Sequence, residues 1–335
     1  MTVSAKKIDY KGEECVELAV GDYVAYIAPF IGSNVIRLYH SGKDIELLRY
    51  DKDAAMEDLK ASPEIYGLPT LYLPNRLADG KLKTSDATYQ FPVNEPQFNT
   101  HLHGFLHKRL YEVCELTTGD DSAMVKTAYT YDEKDEAFTY FPVSFRSEIQ
   151  ITLTPEGLSY TLTMTNLSQV QMPFGICSHT AFPAPFTKGG DGMDVRLYIP
   201  IGDKCEIDEE RRLATEELLP LDGHDKQYLT GSMIPVHQPL DTEMYFGEVG
   251  VKDDAPFYGS IATDIKTGTR ICYEVDREYK FFIVWNDWGE KGYFCVEPQT
   301  WMVNAPNLSL LPETTGYQEL APGESKTLVQ KLYLA

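Results

Sequence analysis

The sequence predicts an all-β protein, a large antiparallel β-sandwich with long loops. Three observations carry that expectation. Short alternating apolar and polar segments recur from one end of the chain to the other. Aromatic residues make up 12% of the 335 residues and prolines number 20, which suits strands and tight turns better than helices. No strand–helix alternation and no period of 20–50 residues is present, which argues against a doubly wound sheet, a propeller or a solenoid.

The elements follow in order. Residues 16–20 (VELAV), 23–28 (YVAYIA) and 34–39 (NVIRLY) read as strands separated by Gly-Asp and Phe-Ile-Gly-Ser. Ser41-Gly42-Lys43-Asp44 reads as a turn. Residues 53–60 have room for about two helical turns, stopped at Ser62-Pro63. The stretch FPVSFRSEIQITLTPEGLSYTLTMTNLS holds at least three strands, with Pro155-Glu156-Gly157 as a hairpin turn. Within it Leu158, Tyr160, Leu162 and Met164 alternate with Ser159, Thr161 and Thr163, so one face is buried and one is wetter. Residues 208–217 have helical composition but lack an apolar stripe. Residues 187–192 are the most flexible sequence, and strand-like sequence resumes at Val195. They read as a loop within a single domain spanning 1–335.

Charge narrows the function classes. Lys plus Arg is 30 and Asp plus Glu is 51, a formal net charge of −21. A nucleic-acid surface or an anionic membrane surface needs clustered basic side chains, so neither is an expected partner. No run reaches the roughly 18 apolar residues of a membrane helix. The N-terminal stretch MTVSAKKIDYKGEECVELAV has lysines without the apolar run of a secretory signal. Cys15, Cys114, Cys177, Cys205, Cys272 and Cys295 are scattered, with no C-x-x-C pair. Free thiols in a reducing, cytoplasmic setting are the expectation.

Four constellations have the residue types for chemistry. Asn75-Arg76 lies between the apolar run Leu71-Tyr72-Leu73 and an Asp-Gly turn. The guanidinium fork there can hold a hydroxyl or a carboxylate, or sit at the surface of a strand end. In His101-Leu102-His103-Gly104-Phe105-Leu106-His107, a strand conformation would put His101 and His103 on one face. Such a pair can bind a metal or aim neutral imidazoles at a polar ligand, and Gly104 suggests a close approach to the backbone. In FGICSHTAF, His179 ends an apolar strand ahead of Pro183 and Pro185, where a strand delivers a side chain to a cleft. An imidazole with a pKa near 6.5 suits proton exchange near neutrality, although a lone histidine at a core edge is usually structural. In Tyr293-Phe294-Cys295-Val296-Glu297-Pro298, a glutamate ends an apolar strand, where burial demands a partner. A half-buried carboxylate there suits a general base, or a sheet-edge ion pair. Trp285, Trp288 and Trp301 lie nearby in sequence and can stack on sugar rings or fill the core.

Taken together and in this order, PNRLADG, HLHGF, SHTAF and CVEPQTWMVNAPN resemble the aldose 1-epimerase (galactose mutarotase-like) family. The matching stretches run over roughly residues 70–307, and the last, with Glu-Pro followed after a short gap by Asn-Ala, is the most specific. The resemblance implies a single β-supersandwich and interconversion of the α and β anomers of a hexose, without metal or cofactor. It implies His179 as general acid and Glu297 as general base. It further implies Asn75, Arg76 and His103 as sugar-binding residues, and Asp241 in QPLDTEMYF as the substrate-binding aspartate, with Asp222 in LDGHD as its competitor.

Two departures touch the walls of the expected site. Phe105 follows Gly104 where the family commonly has a second glycine. Thr180-Ala181-Phe182-Pro183 follows the acid histidine where the family commonly has Pro-Tyr/Phe-Phe-Asn-Leu. They mark a divergent branch and leave the sugar open, phosphorylated and acidic sugars included. Two other readings compete. One is a non-catalytic sugar-binding or sensor protein on the same scaffold. The other is a metal-dependent cupin-like enzyme using His101, His103 and His107, whose expected glutamate finds only Glu112, nine residues past His103.

Overall fold

The computed structural model describes residues 2–241 and 243–335. Its N-terminal part is a five-stranded meander of Val3–Tyr10, Glu13–Val20, Tyr23–Ala28, Asn34–His40 and Ile45–Glu46, in sequence order. The three strands expected between residues 16 and 39 are among them. The short helix falls at Met56–Ala61 and stops before Pro63, which cannot continue it.

An eight-stranded sheet follows, in the order Glu112–Thr118, Ala123–Tyr131, Phe145–Thr154, Gly157–Asn166, Ser325–Leu334, Arg270–Val275, Gly259–Asp264 and Val195–Tyr198. Neighbours are antiparallel throughout. The hairpin pairs Thr154 with Gly157 across Pro155-Glu156, at the expected turn. Leu158, Tyr160, Leu162 and Met164 are buried, and the residues between them are partly exposed.

The other large sheet positions the site. It runs Ala214–Leu219, Ile201–Ile207, Met244–Gly247, Phe281–Trp285, Tyr293–Gln299, Cys177–Ser178 and Thr70–Leu71, with Thr180–Pro183 also on Tyr293–Gln299. Residues 208–217 form no helix; Ala214–Leu219 is a strand, in keeping with the missing apolar stripe. One apolar cluster runs from Val16 to Leu332 and joins all three sheets. Between the two large sheets this core is crossed by a polar network. The Gln330 amide donates to Ser178 Oγ (2.8 Å) and to the Tyr279 hydroxyl (2.7 Å), and Thr180 Oγ1 donates to the Tyr273 hydroxyl (2.9 Å). Both residues flanking position 179 are thereby tied to the opposite sheet, and every group in the chain is buried. Among the described residues no helix is long and apolar enough to cross a membrane. All six cysteines are free thiols.

Candidate active site

The strand edge opposite Tyr293–Gln299 is broken at residue 179. Thr180 pairs with Val296 and Cys177 with Gln299, so positions 297 and 298 face the gap. Pro298, with no N–H to donate, falls at this break while still in register with Phe282. The strand therefore runs on to Gln299 instead of ending at the proline. Alternation keeps Ser178 on the core side and sends Cys177 and His179 to the other face. His179 Nε2 meets Glu297 Oε1 at 3.0 Å. The second carboxylate oxygen accepts from the Gln299 amide at 3.3 Å, with the Cys177 thiol at 3.9 Å. Glu297 is 3% and His179 4% exposed, so the glutamate is buried outright and not half-buried.

Electrostatics follows from this burial. Desolvation is the largest single influence on His179 and favours the neutral ring. The Glu297 carboxylate, with Cys295 alongside, outweighs it and raises the imidazole well above its ordinary value. The pair therefore holds a proton on nitrogen beside an anionic oxygen. His103 lies edge-on to His179 at 5.4 Å between ring centroids. Burial, reinforced by the His179 charge, pushes His103 well below its ordinary value and keeps it neutral.

His103 reaches the site through backbone geometry. The strand ends at Leu102, and His103 and Gly104 both adopt left-handed φ, 65° and 57°. His101 and His103 consequently do not share a face. His101 turns inward against Phe91 (4.9 Å), with Nδ1 at 2.7 Å from the Pro92 carbonyl oxygen. The close approach signalled by Gly104 is to the backbone of Tyr72 and Leu73; an added Cβ would stand 1.9 Å from the Tyr72 carbonyl oxygen. Gly104→Ala is expected to cost on the order of 3 kcal/mol, because backbone must move and φ is positive. Denaturant unfolding measures it, and a midpoint equal to wild type would contradict this account. His107 is buried elsewhere, 3.9 Å from Glu64, and burial pushes it down to about 3, so this contact is no ion pair. Among the described residues no group of three His, Cys, Asp or Glu side chains converges as a metal site would require. Glu112 lies on an edge strand of the other large sheet.

Asn75 is also left-handed (φ 51°), and its carbonyl accepts from the His103 N–H at 2.9 Å, which ties the first motif to the second. The fourth motif closes on the first: the Asn304 N–H donates to the Arg76 carbonyl (3.0 Å), and Asn304 Oδ1 accepts from the Ala78 N–H (3.0 Å). The Asn-Ala signature is a brace under the arginine. Arg76 itself makes a two-pronged pair with Glu95, 2.7 and 2.9 Å, and Glu95 also accepts from the Thr100 hydroxyl at 2.7 Å.

These side chains line one cleft of 270 Å³. Asn75, Arg76, His103, His179, Asp241 and Glu297 all face it, as do Glu64, Glu95 and Trp285. Asp222 does not; it caps its own turn by accepting from the N–H groups of His224 (2.7 Å) and Asp225 (2.9 Å). Asp241 is held by Arg212 at 2.7 Å. Of the three tryptophans, Trp285 lies in the cleft, edge-on to His179 at 5.8 Å, and Trp301 is core, stacked on Tyr317. Trp288 stands outside the cleft and is exposed. Glu64, Glu95 and Arg212 escaped sequence reasoning, because each sits in a loop or a 3₁₀ turn without a flanking pattern. Only the pairing of Leu102 with Arg76 and of Thr100 with Ala78 brings the loop of Glu95 to the arginine.

The two large antiparallel sheets make the scaffold that of galactose mutarotase-like proteins. A family model described as aldose 1-epimerase matches residues 14–333, and the chain belongs to that family. The structure is similar to a galactose mutarotase-like protein of Clostridium acetobutylicum, with a TM-score of 0.96 at 34% identity, covering 99% of this chain and 98% of that one. The galactose 1-epimerase of Lactobacillus acidophilus shares the fold, with a TM-score of 0.74 at 13% identity over 100% and 99% of the two chains. YihR, an uncharacterized protein of Escherichia coli K12, is 26% identical over 204 residues, and the match spans 60% of each chain.

Proposed function

We propose that the protein is an aldose 1-epimerase that interconverts the α and β anomers of a neutral hexose. The observation that carries this reading is the buried Glu297–His179 contact at 3.0 Å, facing a cleft that is also lined by Asn75, Arg76, His103 and Asp241. Mutarotation needs a base at the C1 hydroxyl and an acid at the ring oxygen. On entry the sugar exchanges the Glu297–His179 bond for one bond to each residue. Glu297 takes the proton of the C1 hydroxyl while His179 gives its proton to the ring oxygen, and the bond between C1 and that oxygen breaks. The free aldehyde turns about C1–C2. Reclosure on the other face returns both protons, His179 now acting as base and Glu297 as acid. Arg76, Asn75, His103 and Asp241 hold the hydroxyls so that the ring oxygen stays at His179.

Charge supports a neutral sugar. Four carboxylates, Glu64, Glu95, Asp241 and Glu297, face the cleft. Both nearby arginines are already engaged, Arg76 by Glu95 and Arg212 by Asp241. A phosphate or carboxylate on the sugar would have to compete with these carboxylates for the arginines, against the negative field of the cleft. The test is exchange NMR of anomer interconversion with glucose, galactose, a hexose 6-phosphate and an acidic sugar, with Glu297→Gln as control. Acceleration of a neutral sugar that the variant loses is the expected result. Binding without acceleration would replace the reading by a sugar-sensing protein, and acceleration of the charged sugars alone would overturn the substrate class.

Glu95 is a positioning residue in this scheme. Glu95→Gln keeps its shape but loses the charge that holds both prongs of Arg76. The expected outcome is a KM raised on the order of tenfold, for the loss of about one charge-assisted hydrogen bond to substrate, with kcat within about threefold. Equal falls in kcat and kcat/KM would instead place Glu95 in the chemical step.

A further inference from the structure

Beside the cleft, and sharing Asp241 with it, lies a second groove of 460 Å³. Arg212, Asp241, Glu209, His224, Glu243 and Trp288 line it. Asp241 lines both spaces, and Arg212, which lines the second, holds it at 2.7 Å. We propose that this groove is a second sugar subsite, where the non-reducing ring of a disaccharide stacks on Trp288 while its reducing ring occupies the cleft. The inference rests on the reading of the cleft as the site of anomer interconversion.

Trp288 is the first argument. It is 71% exposed, the most exposed of the large apolar side chains among the described residues, and it contributes nothing to the core. Yet its backbone is not free. Asp287, Trp288 and Gly289 are consecutively left-handed, with φ of 46°, 69° and 81°. A tryptophan in that region is strained and persists only where its surroundings hold it. Here they do. The Gly289 carbonyl accepts from the His237 N–H at 2.8 Å, and Gly289 is packed so closely on Gln238 that a Cβ would stand 2.6 Å from backbone. The Asn286 side chain donates to the carbonyls of Pro235 (3.0 Å) and Gln238 (2.6 Å) and accepts from the Leu240 N–H (3.0 Å). The turn that presents the indole is thus fastened to the segment that ends in Asp241, and the spacing between stacking platform and cleft is fixed.

Arg212 is the second argument. It too is left-handed, φ 57°, in a loop closed by Asp208. One nitrogen is spent on Asp241, and its guanidinium lies 5.7 Å from the Phe98 ring, whose other neighbour is Arg76. Its buried Nε has no partner among the described residues. An exposed aromatic side chain beside a guanidinium that bonds Asp241 through Nη1 suits a pyranose ring, which has an apolar face to stack and equatorial hydroxyls to satisfy.

The test compares galactose and glucose with the reducing disaccharides lactose, maltose and melibiose by exchange NMR, in wild type and Trp288→Ala. At least one disaccharide is expected to match or exceed its reducing-end monosaccharide in kcat/KM. Trp288→Ala should lower that value at least fivefold and leave the monosaccharide within twofold. Exclusion of all three disaccharides, or their indifference to the substitution, would overturn the proposal. A binding arm separates this failure from failure of the catalytic reading. Saturation-transfer difference NMR on Glu297→Gln should mark protons of the non-reducing ring of lactose or maltose, and the signal should vanish when Trp288→Ala is added. If only reducing-ring protons are marked, or if Trp288→Ala alters the oligomeric state and leaves sugar binding untouched, the groove is not a sugar subsite.

Discussion

Glu297→Gln is expected to lower kcat/KM for anomer interconversion by roughly 10²–10⁴-fold while the protein stays folded. The size follows from two losses made by one atom's change. The amide has no basic oxygen to take the C1 proton. It also withdraws the negative charge that, against desolvation, keeps His179 protonated, so the acid is lost together with the base. The fold persists for the same reason. Removing one partner of a buried ion pair is severe when it strands the other charge, about 3–5 kcal/mol. Here the stranded charge is a proton on imidazole, which can leave. Glutamine keeps the volume of glutamate and can still bond the neutral ring, and the strand remains tied to Phe281–Trp285 along its length. Exchange NMR reads the activity and thermal unfolding reads the fold. Retention of more than a tenth of wild-type kcat/KM in a folded variant would remove Glu297 from the role of base.

The parts of this site legible in the sequence are those that interrupt a pattern. His179 and Glu297 each follow a short apolar run, where a polar side chain needs a reason, and both lie in the cleft. Gly104 announced a close approach, and the structure shows Tyr72–Leu73 as the neighbour. What sequence could not give is whatever depends on φ or on loop register. The strand rule places His101 and His103 together, but left-handed backbone at His103 separates them, and only one reaches the cleft. The Glu95 partner of Arg76 lies 19 residues away in a loop, and nothing in its neighbours marks it. Asp222 and Asp241 are alike as sequence. Only the turn bonds of the first and the cleft position of the second distinguish them.

His179→Asn is expected to reduce kcat/KM by a comparable 10²–10⁴-fold, and pH separates this loss from a merely structural one. On the proposed mechanism the acid form of His179 is the competent one for ring opening. Its folded-state pKa is raised, because the Glu297 carboxylate overcomes the desolvation that would lower it. Activity should therefore persist through neutrality and fall on an alkaline limb displaced upward from the ordinary 6.5 of imidazole. Stability obeys the same sign. A group whose pKa is higher folded than unfolded contributes fully below its unfolded value, near 6.5, and loses that contribution as pH rises through the folded value. Wild-type Tm, referred to that of His179→Asn, should accordingly be highest on the acid side of this window. It should decline from near 6.5 up to the folded value, because over that range the unfolded chain has lost the proton that the native ring keeps. The decline in Tm should end where the kinetic limb falls, since the native ring loses its proton there and the two states then bind equally many protons. A wild-type rate that is flat through the alkaline range, or a Tm difference from His179→Asn that does not change with pH, would show that the imidazole is neutral at rest. The acid in ring opening would then have to be another group of the cleft.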